Sequence, residues 1–184
     1  MGRTIVEESD ALAIAKAKAG DSDGFKSLVE RHSRSVFRLA YRMTGNESDA
    51  EDIVQETFMR AYKQLNRYES RSSFSTWLYR IAANCSVDLI RARKVRQPVE
   101  VPETLKSSDP EPDRALYSSQ VKHKVSLAMN QLSGQERTAF VLRHFEGQSI
   151  DEISKALGVG DNAAKHAVFR AVQKLRRALE PVIS

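Results

Sequence analysis

The stretch Phe74 to Arg96, FSTWLYRIAANCSVDLIRARKVR, decides how the rest of the chain is read. Placed on a helix at 100° per residue, Leu78, Ile81, Ala82, Cys85 and Leu89 fall on one apolar stripe, and Arg80, Asn84, Val87, Arg91 and Lys94 fall opposite. Solvated helices usually mix both signs of charge, but this outward face has no acid among its polar residues, and Asp88 sits to the side. Such a face fits a polyanionic partner. It fits equally a basic helix end that complements its own dipole, so the helix alone leaves both readings open.

Composition narrows the setting. The 184 residues are 41% hydrophobic, enough for one medium domain or two small ones, and the net charge of +5 permits nucleic-acid binding without requiring it. The lone cysteine, Cys85, falls on the apolar stripe, which excludes a disulfide framework and a cysteine-based zinc site. Its expected state is a buried, inert thiol. No apolar run has signal-peptide or membrane-spanning length. The expectation is a soluble protein of a reducing cytoplasm, not inserted in the membrane.

Working outward from Phe74, every apolar repeat in the first half has the helical period. Residues 1–20 read as an extension with a first helix over Ser9 to Ala19, ending at Gly20. Asp21 or Ser22 can cap a second helix, which Thr44-Gly45-Asn46 closes. Ser48-Asp49-Ala50-Glu51 reads as a capping box opening a helix to about Leu65. That helix would bury Ala50, Ile53, Val54, Thr57, Phe58, Ala61 and Leu65, leaving Asp49, Asp52, Glu56 and Met59 outside. The polar loop 66–73, NRYESRSS, leads into Phe74. Residues 21–96 thus form one helical domain.

Residues 97–114, QPVEVPETLKSSDPEPDR, change character to proline, acid and serine and read as an extended acidic linker. At full stretch they reach roughly 60 Å, comparable with about two turns of duplex at ~34–36 Å each. Residues 115–184 are helical again. After a helix from about Ala115 to Leu132, Ser133 to Glu136 and Ser149 to Glu152 are two further capping boxes. The short helix opened by the second ends at Gly158, and Val159-Gly160-Asp161 turns into a helix capped by Asn162. Short helix, glycine-bearing turn and longer helix is the helix-turn-helix arrangement. In the last helix Ala164, Val168, Ala171, Val172, Leu175 and Leu179 share a stripe. His166, Arg170, Gln173 and Arg177 project the other way, flanked by Lys165, Lys174 and Arg176, as a major-groove helix requires.

Trp77 lies between the apolar stripe and the basic face, where an aromatic can stack on an unpaired base; Phe74 reads as core. The acidic face of Asp49, Asp52 and Glu56 reads by itself as a solvated surface with favourable first-turn charges. As a catalytic carboxylate pair it lacks a nearby nucleophile, metal-ligand histidine or phosphate-cradling loop. The four histidines do not stand at metal-ligand spacing with carboxylates, so neither metal nor cofactor is expected.

With these residues in hand, the chain resembles the bacterial sigma factors of the sigma-70 family, in the extracytoplasmic-function group that keeps only regions 2 and 4. DAEDIVQETFMRAYKQL is similar to the polymerase-binding helix of region 2. FSTWLYRIAANCSVDLIRARKVR is similar to the promoter-melting and minus-10 segment, and LSGQERTAFVLRHFEGQSIDEISKALGVG to region 4. The resemblance implies an all-α fold of two small helical domains joined by a flexible linker. It also implies a non-catalytic initiation factor for a stress or envelope response. The implied partners are core RNA polymerase, through its beta-prime clamp and beta flap, promoter DNA, and an anti-sigma factor that could hold the chain at the inner membrane.

By the same resemblance, Asp49, Asp52, Gln55 and Glu56 stand where the family docks on the beta-prime clamp. Arg80, Asn84 and Arg91, with Lys94 and Trp77 beside them, meet the minus-10 element. The loop Tyr68 to Ser73, including Ser72, matches the one that pockets a flipped base. The helix carrying Lys165, His166, Arg170, Gln173, Lys174 and Arg177 would read the minus-35 element. One departure stands out. The family's usual Gly-Thr-Val-Lys-Ser-Arg run is replaced by Asn162-Ala163-Ala164-Lys165-His166-Ala167. Alanine at 167 takes the place of an expected arginine, so either the minus-35 preference differs or the phosphate grip moves to Arg170 and Lys174. Two other readings remain: a free-standing helix-turn-helix regulator, and an enzyme built on the Asp49, Asp52 and Glu56 cluster.

Overall fold

The computed structural model describes residues 2–96 and 112–183, with side chains placed over 9–96 and 119–180. Every regular element among them is helical: α1 (Gly2–Lys18), α2 (Ser22–Thr44), α3 (Glu47–Gln64), a 3-10 turn (Leu65–Arg67), α4 (Phe74–Arg96), α5 (Pro112–Asn130), α6 (Gly134–His144), α7 (Ile150–Leu157) and α8 (Asp161–Ile183). The expected linker over 97–114 lies outside the described residues as far as 111. α5 begins at Pro112, three residues before the expected start. Proline suits a first helical position because its missing N–H would be unpaired there anyway.

Local chemistry sets most boundaries. Asp21 caps α2 by accepting from the Asp23 amide, and Gly45 ends that helix in the left-handed region at φ 70°, donating its amide to the Tyr41 carbonyl. Ser133 and Ser149 form reciprocal capping boxes with Glu136 and Glu152. Two expectations need correction. α3 is capped by Asn46, whose side chain accepts from the Asp49 amide, so its first turn starts before Ser48 and the Ser48 to Glu51 box does not form. α8 starts at Asp161, with the Ala164 amide bonded to the Gly160 carbonyl, so Asn162 lies inside the helix and is not its cap.

α1 to α4 form a bundle in which α2 contacts α1, α3 and α4. Leu28, Val36, Leu39, Met43, Ile53 and Leu78 are almost fully enclosed in it. Each such side chain contributes about 1.5–3 kcal/mol, so packing of these faces outweighs intrinsic helix propensity. Cys85 is buried at 5% exposure and Phe74 at 3%, as their places on the stripe require.

The second group, α5 to α8, does not stand apart from the first. α7 packs on α4 and α6 on α2. Leu142, Ile153, Ala164 and Ala167 belong to the same apolar cluster as Leu78, Ile81 and Ala82, and a smaller cluster of Ala128, Leu132, Ala171 and Leu175 ties α5 to α8. Val87, expected on the outward face of α4, is instead half-buried. A β-carbon added at Gly134 would lie 2.9 Å from its Cγ1, so only glycine allows α6 to approach this closely.

Candidate nucleic-acid interface

α4 is enclosed on more than one side. Besides the expected stripe, Tyr79, Ala83 and Ser86 are buried, because the helix lies between the first bundle and α7. The polar residues Arg80, Asn84, Arg91 and Lys94 remain exposed. The Arg80 guanidinium lies against the α7–α8 turn, with Nη2 3.4 Å from where a Gly158 β-carbon would sit, and Lys94 Nζ donates to the Asn130 carbonyl at 3.4 Å. Both basic ends of this face therefore touch the second group.

The loop ahead of α4 is shaped by aromatics. Tyr68, Phe74 and Trp77 form a triangle with centroids 5.1 to 5.6 Å apart, in the range that favours edge and offset contacts. Tyr68 is buried and its hydroxyl donates to the Ser72 carbonyl at 2.7 Å, folding the loop back on itself, while Ser70 sits at φ 56°. Trp77 and Ser72 are half-buried, and Trp77 stays at the boundary between core and surface. Tyr68 thus serves as the floor of this loop, with Trp77 at its edge.

On α3, Asp52 and Gln55 are exposed, and Glu56 is half-buried and accepts from Arg60 Nε at 2.6 Å. Asp49 departs from the expected outward cluster. It is 5% exposed, and both of its carboxylate oxygens engage the Arg93 guanidinium at the end of α4. Burial pushes its carboxyl above the ordinary aspartate value, Arg93 opposes this, and the nearby Asp52 charge adds to it. Position 49 lies one turn before the buried Ile53, at the edge of the stripe that packs on the bundle.

On α8, Lys165, His166, Phe169, Gln173 and Arg177 are exposed. Ala167 is 2% exposed, inside the shared core, so the alanine that stands in place of an expected arginine occupies an inward position. Arg170 and Lys174 are already engaged. Arg170 Nε donates to Glu136 Oε1 at 3.2 Å and Lys174 Nζ to Glu136 Oε2 at 2.7 Å. Burial raises the Glu136 carboxyl, but Lys174, the Ser133 amide and Arg170 outweigh it and hold the group below the ordinary glutamate value.

Sequence reasoning missed the residues between the two groups. Arg137 is buried at 5% exposure and donates to the Met43 carbonyl at 2.8 Å. Glu146 accepts from the Tyr79 hydroxyl at 3.2 Å and from Arg38 at 3.5 Å. Burial and the Glu146 charge push the Tyr79 phenol up to about 12. The Arg42 guanidinium stacks 3.9 Å from the Phe145 ring centroid. Helical periodicity carries no record of partners so distant in sequence.

Residues 28–96 match the family described as Sigma-70 region 2, and residues 122–175 match Sigma-70, region 4. The chain is 32% identical over 176 residues to the ECF RNA polymerase sigma factor SigW of Bacillus subtilis, covering 90% of this chain and 94% of that protein. It is 36% identical over 176 residues to the ECF RNA polymerase sigma factor SigE of Mycolicibacterium smegmatis, covering 92% of this chain and 68% of that one. Among solved structures, CnrH in complex with the cytosolic domain of CnrY aligns at TM-score 0.69 and 25% identity over 94% of this chain and 98% of that one. The sigma factor RpoE in complex with the anti-sigma factor NepR, from Bartonella quintana, shares the fold at TM-score 0.63 and 24% identity, over 85% and 96% of the two chains.

Proposed function

The chain belongs to the extracytoplasmic-function group of the sigma-70 family, and from that premise we propose how its residues divide the work of promoter-directed initiation. It is an RNA polymerase sigma factor. Residues 21–96 act as region 2 and the part from Pro112, where α5 begins, to 184 as region 4, with 97–111 as the spacer. The exposed Asp52 and Gln55 of α3, with the half-buried Glu56 beside them, dock on the basic surface of the polymerase beta-prime clamp, and region 4 engages the beta flap. Arg80, Asn84, Arg91 and Lys94 meet the minus-10 duplex. Trp77 and the Ser72 loop receive an unpaired base, the aromatic face supplying stacking that is worth about 1–3 kcal/mol per base. Lys165, His166, Gln173 and Arg177 read the minus-35 element.

The observation that carries this reading is the division of charge. An exposed acidic face on α3 and exposed basic faces on α4 and α8 stand in one chain that matches both sigma regions. The protein supplies no chemistry of its own; it presents polymerase to DNA and stabilises the opened strand. It acts in the cytoplasm, and no helix among the described residues is long and apolar enough to cross a membrane. An anti-sigma factor regulates it, a reading supported by the fold shared with RpoE, solved in complex with the anti-sigma factor NepR.

The packed arrangement has a functional consequence. The start of α6 covers Val87 and the turn after α7 touches Arg80 on the face that would meet DNA, and two promoter elements about two duplex turns apart lie roughly 70 Å from each other. The two groups therefore separate when polymerase presents both elements. The test is to add the purified chain to bacterial core polymerase and assay promoter-directed transcription. Initiation that depends on the chain supports the reading. Tight sequence-specific binding by the chain alone, without polymerase-dependent initiation, would make it a free-standing regulator.

A further inference from the structure

Each group contains one buried carboxylate at the third position of a helix that holds a basic side chain of another helix, and in the second group that helix is the one read above as facing DNA. In the second group it is Glu136, three residues after its cap Ser133, at 4% exposure. Its Oε2 accepts from the Ser133 amide at 2.9 Å and from Lys174, and its Oε1 from Arg170. In the first it is Asp49, three residues after its cap Asn46, bidentate to Arg93.

The geometry matters because of what each acid is attached to. Glu136 sits on the first turn of α6, fixed by its own capping box. Arg170 and Lys174 lie one turn apart on α8. Gripping both pins the rotation of α8 about its axis, and that rotation decides which side chains point outward. The grip also withdraws two cations from the face. Of six candidate groups on α8, Lys165, His166, Gln173 and Arg177 remain free of this acid, while Arg170 and Lys174 are committed to it.

We propose that Glu136 is a positioning residue for promoter reading. It sets the pose of α8 and keeps Arg170 and Lys174 off the phosphates, so that sequence is read by Lys165, His166, Gln173 and Arg177. The inference rests on the reading above that α8 meets the minus-35 element. It predicts behaviour that a simple fold brace would not show, because releasing the grip should increase non-specific attraction while lowering discrimination.

The test uses the full chain assembled with bacterial core polymerase, binding promoter fragments with an intact or a scrambled minus-35 element over a range of salt concentrations. Glu136→Gln keeps the volume and the amide acceptor of the cap but removes the charge. Two freed cations should steepen the slope of log Kobs against log salt by one to about two, while the preference for the intact element falls about tenfold. Lys174→Gln should leave the slope at its wild-type value, whereas Lys165→Gln should reduce it by about one. The proposal is overturned if Glu136→Gln keeps both slope and preference, or if Lys174→Gln reduces the slope by about one, since Lys174 would then already bind phosphate. Lys174 is a partly exposed surface residue, so its variant decides the matter even where Glu136→Gln folds poorly. If the wild-type holoenzyme shows no preference for the intact element, the minus-35 reading itself fails.

Discussion

The Arg137 guanidinium bridges the two helical groups, with Nη1 on the Met43 carbonyl at the end of α2 and Nη2 on the Asn130 side chain at the end of α5, at 2.8 and 2.9 Å. These acceptors are neutral oxygens, and burial pushes the group below the ordinary arginine range. The residue holds together surfaces that transcription would have to part. Arg137→Ala should cost about 1–3 kcal/mol, the range for a hydrogen bond to a charged group and for the acceptors it leaves bare. Urea unfolding of the free chain measures this. Arg137→Lys should recover only part of the loss, since an ammonium lacks the planar fork that spans these acceptors.

Gly134 gives a second handle on the same contact. Its β-carbon would meet the Val87 methyls at 2.9 and 3.0 Å, and valine has no flexible end to withdraw. Gly134→Ala improves helix propensity by up to about 1 kcal/mol, yet it should destabilise the free chain by about 1–3 kcal/mol through overpacking. Adding Val87→Ala should recover most of that loss. Independent additivity in this double-mutant cycle would mean that α6 does not rest on α4 in solution.

The two kinds of acid on α3 should separate cleanly. Asp52→Lys with Glu56→Lys should abolish polymerase binding, measured by co-purification with core polymerase, and leave helicity intact. Asp49→Ala should instead leave polymerase binding in place and lower stability by no more than about 1 kcal/mol, because the Arg93 guanidinium it releases is half exposed and stays hydrated. Normal polymerase binding by the Asp52 and Glu56 variant would remove α3 as the docking surface.

Acid should loosen the second group through Glu136. Its folded carboxyl titrates below the ordinary glutamate value of 4.5, so the unfolded chain binds the proton more readily in that window. Its contribution is present in full above 4.5 and is lost as pH falls through the folded value. The stability gap between wild type and Glu136→Gln should therefore be widest near neutrality and close below pH 4.5, as measured by denaturant unfolding at each pH.

How much of this was legible beforehand follows from what periodicity records. The bounds of α4, the two capping boxes of the second half and the core places of Phe74 and Cys85 depend on residues a few positions apart, which a helix brings together by its own geometry. Asp49 misled because it borders the buried stripe, about 40° from Ile53 on the helix, and the partner that draws it inward, Arg93, lies on another element. The apolar stripe read from the sequence of α8 omits Ala167, although this residue lies beside Ala164 and Ala171 and is buried with them. Arg137, Gly134 and Glu146 stayed invisible because their partners, Met43, Val87 and Tyr79, are distant in sequence and are chosen only by tertiary packing.

The central claim, that two packed groups part to span two promoter elements, is tested most directly by distance. Donor and acceptor dyes on Gln64→Cys and Arg176→Cys, both exposed, report the separation by energy transfer while Cys85 stays buried. Transfer should fall from its level in the free chain once core polymerase and a promoter fragment are added, as the two groups move to elements roughly 70 Å apart. Undiminished transfer in a complex that initiates transcription would contradict the account.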